Sequence, residues 1–160
     1  MPEEQPPFKI AIIGGGLGGL FAALSIQHHC QKDPNIKIHI DVYEQAAEYK
    51  EIGAGLGLAV NAAKLLDRIG IFDEARKIAG TRDHVWISFR RYDNSDDIYT
   101  IPLPGEEGAR MQLSLHRAEF LELLVRAVRA RQAAVLHTDK RCVHLEVIYG
   151  SFVPSFLYLF

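Results

Sequence analysis

Cysteine is nearly absent: Cys30 and Cys142 are the only two in 160 residues, and neither stands in a C-x-x-C or other metal-type spacing. This argues against a disulfide framework or a structural zinc site and favours two reduced thiols in a cytoplasmic protein. Charge of one sign is also lacking. A formal net charge of -2 provides no broad positive field, so neither nucleic acid nor an anionic membrane is expected as partner, and the ligand should be small. No G-x-S-x-G elbow, internal repeat or low-complexity tract occurs. His28 and His29 are adjacent and so diverge on a helix, and the other histidines are scattered without metal spacing, so no metal site is expected. The apolar stretch 10–26 holds five glycines and follows an acidic, proline-rich segment, unlike a signal peptide or a membrane span, which needs roughly 20 apolar residues.

What is present begins at Phe8. Residues 8–13 form a continuous apolar run, expected as a parallel strand buried on both faces. A glycine turn follows, then a small-residue helix over about 17–31. Gly14, Gly16 and Gly19 occupy the positions of G-x-G-x-x-G. The first permits a tight turn, the second lets backbone approach a pyrophosphate, and the third lets helix press on strand. The helix start aims unpaired N–H groups and a positive dipole end at the turn, where an anion is stabilised without a charged side chain. Residues 36–43 then alternate as a second strand ending at Glu44, where a carboxylate can accept hydrogen bonds from both ribose hydroxyls. That charge would repel a 2′-phosphate, which leaves FAD and NAD open and disfavours NADP at this position.

Further along, Asn61 is expected to cap a helix through Ile69 that stops at Gly70, and a shorter helix spans about 72–79. Residues 85–92 and 98–103 flank the polar run Asp93-Asn94-Ser95-Asp96-Asp97 as a hairpin, and 102–109 read as a loop. After a short extended stretch, 117–132 give the strongest helix, with Phe120, Leu121, Leu124, Val125 and Val128 as its buried stripe. Residues 134–137 and 142–149 read as strands, and the apolar end of the chain shows no pattern.

Glu51-Ile52-Gly53-Ala54-Gly55-Leu56-Gly57-Leu58-Ala59-Val60-Asn61-Ala62, leading to Leu65, Leu66 and Gly70, resembles the EIGAGI-x-L-x-x-NA stretch of the FAD-dependent aromatic-ring monooxygenases, the salicylate-hydroxylase-like family related to p-hydroxybenzoate hydroxylase. Ser114-Leu115-His116-Arg117 resembles the HR helix start of the same family, whose arginine contacts FAD. The resemblance runs from about Phe8 to Val147 and matches only the first part of such enzymes. It implies an α/β fold, a Rossmann-like FAD-binding domain with a parallel sheet, incomplete, plus a β-hairpin of a partial second layer. The expected organisation is a disordered N-terminus at 1–7, a partial FAD-binding domain at 8–148 and an aberrant apolar tail at 149–160.

The resemblance further implies hydroxylation of a small aromatic substrate with FAD as cofactor, NAD(P)H as reductant and O2 as oxidant. The cofactor carries the oxygen chemistry, so no catalytic side chain is assigned. Gly14, Gly16 and Gly19 are expected at the pyrophosphate, Glu44 at the adenosine ribose, Gly55 and Gly57 beside the flavin, and Arg117 as an anchoring donor. Bare glycine backbone suits a flat ring system, and a guanidinium fork suits phosphate or a carbonyl edge. Two readings remain open beside it: an NAD-binding dehydrogenase or reductase domain, and a non-enzymatic fragment.

Overall fold

The computed structural model describes residues 6–50, 53–80, 85–102, 112–148 and 151–158. Of the loop expected over 102–109, Pro102 instead ends a strand and 103–109 lie outside the described residues, as do Glu51 and Ile52 at the start of the glycine segment and most of the expected N-terminal tail. The chain divides into two units, one formed by Met1–Ile52 with Ala118–Phe160 and the other by Gly53–Arg117.

In the first unit, β1 (Phe8–Ile13), α1 (Leu17–Cys30) and β2 (Ile38–Tyr43) make a strand-helix-strand unit whose strands pair in parallel, Phe8 opposite Ile38 through Ile13 opposite Tyr43. A short strand, β7 (Val135–His137), adds in parallel on the far side of β2, giving the order β1-β2-β7. Alternation sorts the sheet into two faces. Ile40 and Val42 are buried with Ala23 of α1, and Ile10, Ile12, Ile26, Ile38 and Leu136 pack around them. The opposite face carries His39, Asp41, Tyr43 and His137, all at least partly exposed.

β1 differs from the expectation of burial on both faces. It is an edge strand among the described residues, with Phe8 71% and Ile13 47% exposed, because only β2 pairs with it and only α1 covers it. The continuous apolar run therefore reports one covered face and one open face. The long helix α4 (Arg117–Ala130) buries the expected stripe and adds Leu123 and Ala127. The chain then reverses through Gln132, at φ 50°, into β7. β8 (Lys140–Ile148) and β9 (Ser151–Tyr158) pair antiparallel, Lys140 opposite Tyr158. The apolar segment that lacks a pattern in the sequence thus contains a strand whose partner is adjacent in the chain.

In the second unit, β3 (Gly55–Leu58) pairs antiparallel with β6 (Leu113–His116), α2 (Val60–Arg68) lies against β3 and against α3 (Phe72–Ile78), and α3 lies against β6. The expected hairpin is present as β4 (Val85–Arg90) and β5 (Asp97–Pro102). Asn61 is not a cap. Helix α2 starts one residue before it, with Ala59 in extended conformation as its N-cap and the Ala63 N–H donating to the Ala59 carbonyl at 3.0 Å. The β3–β6 pairing through Leu58 fixes where the chain turns, and this outweighs the side-chain preference of Asn61.

Replacing Ile40 by alanine should cost about 3 kcal/mol in denaturant unfolding, since it empties part of the β2–α1 core. Phe8→Ala should stay within about 0.5 kcal/mol, because that side chain is mostly in solvent.

Candidate functional site

The glycine turn joins β1 to α1. Gly14 has φ +101°, a conformation that L side chains rarely adopt, and its N–H donates to the Tyr43 carbonyl at 2.8 Å, closing the turn onto the end of β2. A Cβ on Gly19 would overlap the Gly14 carbonyl oxygen, so the first turn of α1 rides directly on the end of β1. Gly16, the N-cap of α1, behaves otherwise. Its backbone is extended, no side chain caps the helix, the first turn carries no acidic residue, and nothing lies within 4 Å of a Cβ built there. The N–H groups of the first turn have no acceptor within the helix, no side chain caps them, and the positive end of the dipole lies at the turn.

Glu44 is tied to this turn. Its Oε2 accepts the Gly15 N–H at 2.8 Å and its Oε1 accepts the Ala46 N–H at 2.9 Å. Its own N–H donates to the His137 carbonyl at 2.8 Å, and its carbonyl accepts the Lys140 N–H at 2.9 Å. A carboxylate offers about four acceptor positions, so each oxygen keeps one for a ligand hydroxyl. Two neighbours escaped the sequence analysis. Gly15 is packed so closely that an added Cβ would lie 2.6 Å from Tyr49 Cε1 and 2.9 Å from Glu44 Cβ. The Tyr49 hydroxyl is buried with no hydrogen-bond partner among the described residues, and its pKa is pushed up by burial and by the Glu44 charge, with Arg129 opposing. An isolated tyrosine in a polar loop gives no sequence signal for this contact.

Beside the turn, Gly14, Tyr43, Glu44, Lys140, Arg141 and Cys142 line a cleft of about 250 Å³. The Tyr43 ring stacks on His137 with centroids 4.7 Å apart and planes 12° apart. His137 Nε2 is held by Asp41 Oδ1 at 2.7 Å, while Asp41 Oδ2 meets His39 Nε2 at 3.2 Å. Burial raises the pKa of the Tyr43 phenol, and the Asp41 charge adds to this. Among the described residues no group of His, Cys, Asp and Glu side chains is placed to hold a metal ion.

The second unit gathers the other three expected residues. In the β3–β6 ribbon Gly55 lies opposite His116 and Gly57 opposite Ser114, while Leu56 and Leu58 lie opposite the buried Leu115 and Leu113. One face is thus bare backbone flanked by two exposed polar residues, and a Cβ at Gly55 or Gly57 would meet nothing within 4 Å. Gly53 differs, for a Cβ there would strike the His116 imidazole. Arg117 follows His116 at the start of α4, and its N–H donates to the Ala54 carbonyl at 3.0 Å, fixing the arginine to the glycine segment. Gly14, Gly16, Gly19 and Glu44 are brought together in the first unit, and Gly55, Gly57 and Arg117 in the second.

Solved structures share this fold. The chain superposes on 2-methyl-3-hydroxypyridine-5-carboxylic acid oxygenase with a TM-score of 0.70 at 17% identity, covering 94% of this chain and 38% of that one. It superposes on p-nitrophenol 4-monooxygenase PnpA from Pseudomonas putida DLL-E4 with a TM-score of 0.70 at 18% identity, covering 88% and 34%. These define a mixed α/β fold with a parallel sheet, of the kind seen in flavin-dependent monooxygenases.

Sequence relatives narrow the class. The chain is 33% identical over 145 residues to 6-methylsalicylate 1-monooxygenase atA of Aspergillus terreus (86% of this chain, 30% of the relative). It is 36% identical over 128 residues to 6-hydroxynicotinate 3-monooxygenase of Pseudomonas fluorescens (78% and 31%), and 31% identical over 130 residues to salicylate hydroxylase of Pseudomonas putida (79% and 27%). The chain is a relative of the FAD-dependent aromatic-ring monooxygenases and spans about 30% of the length of the curated relatives it matches. No family model matches it.

Gly15→Ala should destabilise the chain by about 1–3 kcal/mol through the clash with Tyr49. Tyr49→Ala in the same chain should recover part of that loss, and a double-mutant cycle on denaturant midpoints reads the coupling.

Proposed function

We propose that residues 8–148 are the FAD-holding part of a flavin-dependent monooxygenase that hydroxylates a small aromatic substrate with NAD(P)H and O2, built as a Rossmann-like domain. The observation that carries this reading is that both glycine-rich segments contain glycines the described residues do not demand. Gly14 answers a positive φ and Gly19 a backbone contact, but Gly16 and Gly18 at the start of α1 and Gly55 and Gly57 in β3, like Gly80 after α3, have nothing within 4 Å of an added Cβ among the described residues. Side-chain-free backbone facing open space is what close approach of a ligand requires.

The residues present fit FAD. Gly14, Gly16 and Gly19, with the N–H groups at the start of α1, would hold the pyrophosphate. Glu44 would accept the adenosine ribose hydroxyls on the lone pairs its two backbone donors leave. The bare face of Gly55 and Gly57 would lie beside the flavin ring, with Arg117 as an anchoring donor. When bound, FAD supplies the electron transfer and oxygen activation, and the protein supplies placement and polarity. The relatives named for salicylate, 6-methylsalicylate and 6-hydroxynicotinate support a small aromatic acid as the substrate class. A cytoplasmic setting fits two free thiols and the lack, among the described residues, of a helix long and apolar enough to cross a membrane.

Titration of the purified chain with FAD, followed by flavin fluorescence, tests the reading. Wild type should bind FAD in preference to NAD. Gly16→Val, which suits the extended backbone there, should weaken FAD by at least about tenfold with little change in melting temperature. Tighter binding of NAD than of FAD, or unchanged FAD affinity in the valine variant, would contradict it.

A further inference from the structure

We propose that Tyr49 is a positioning residue of the cofactor turn: when FAD draws the Gly15 N–H away from Glu44, the Tyr49 phenol takes that place on the carboxylate and keeps it aimed at the ribose. This rests on the FAD reading above and adds a residue from the loop after β2.

An unused donor is the first argument. The Tyr49 hydroxyl oxygen is shut off from solvent and has no hydrogen-bond partner among the described residues, although the residue as a whole is partly exposed. Such a group has given up its water without replacement, which costs stability, and native chains leave few of them. Packing against Gly15 requires only the ring, whose Cε1 lies where a Gly15 side chain would begin. Phenylalanine would fill the same space without the loss.

Placement is the second argument. The Cβ position of Gly15 lies 3.0 Å from the Tyr49 hydroxyl and 2.9 Å from Glu44 Cβ, so the phenol and the glutamate side chain converge on one point. Burial, and then the Glu44 charge, push the phenol pKa up against the opposing Arg129 charge. The hydroxyl therefore keeps its proton and stands beside the carboxylate as a donor.

The third argument is the account of donors to Glu44. Oε2 accepts the Gly15 N–H at 2.8 Å and Oε1 the Ala46 N–H at 2.9 Å. Gly15 sits between Gly14 and Gly16, both assigned above to the pyrophosphate, so of these two N–H groups it is the one a ligand phosphate can claim. Without that donor the carboxylate would be held through Ala46 alone. The phenol replaces it one for one, because a hydroxyl hydrogen rotates to suit its acceptor and an O–H bond to a carboxylate is short and charge-assisted. The acceptor positions left for the ribose hydroxyls are unchanged.

The test uses the whole chain with its six tyrosines labelled with 13C at Cζ, the Tyr49 resonance being the one that Tyr49→Phe removes. Saturating FAD should move that resonance in wild type and leave it in place in Glu44→Ala. Tyr49→Phe should bind FAD about tenfold more weakly, yet melt no lower than wild type when FAD is absent. Equal FAD affinity in the phenylalanine variant, or a Cζ resonance unmoved by FAD in wild type, would overturn the proposal. A movement retained in Glu44→Ala would put the hydroxyl on the ligand, and a lower melting temperature of FAD-free Tyr49→Phe would show it already paired within the chain; either overturns the proposal while leaving FAD binding intact. Failure of wild type to bind FAD would overturn the FAD reading and this proposal with it.

Discussion

The α-carbon of Gly19 sits on the carbonyl of Gly14 with no room for a methyl group, and the arrangement of the first unit depends on that approach. It brings the start of α1 down onto the end of β1, so the helix crosses the sheet close enough to bury Ala23 against Ile40 and Val42. The chain must then reverse within a few residues, which forces the positive φ of Gly14 and leaves Gly16 extended at the helix start. The same turn presses Gly15 against Tyr49 and brings its N–H within 2.8 Å of Glu44. One steric constraint thereby positions an uncapped helix terminus and a carboxylate beside each other.

The glycines separate into those the protein needs and those it does not. Gly14, Gly15, Gly19 and Gly53 are fixed by backbone conformation or by neighbouring atoms, whereas Gly16, Gly18, Gly55, Gly57 and Gly80 face space. Glycine carries an entropic cost of roughly 0.5–1 kcal/mol relative to alanine in regular structure. Its presence in β3 without an internal reason points to something outside the chain that must come close.

Much of this was legible in the sequence. The β1–turn–α1–β2 unit, the α4 stripe and the β4–β5 hairpin follow from local periodicity and turn chemistry, which act over a few residues. The missed features depend on contacts distant in sequence. Strand β3 is half glycine and becomes a strand only because β6, more than fifty residues later, pairs with it. Exposure of β1 reflects how many strands surround it, which an apolar run does not encode. Glu44 was identified by its place at a strand end, but its double engagement by Gly15 and Ala46 depends on the turn's exact path. Tyr49 and Arg141 carry no motif, and only the fold brings them beside the turn and the cleft.

The account holds that the backbone left bare by Gly16, Gly55 and Gly57 is ligand surface. Amide chemical shifts of the 15N-labelled chain, recorded with and without FAD, address this most directly. The account predicts shifts concentrated at Gly15, Gly16, Leu17 and Gly18 and at Gly55, Leu56 and Gly57, with Ile40, Val42 and the α4 core unmoved. Saturable FAD binding that left both glycine segments unshifted would contradict it.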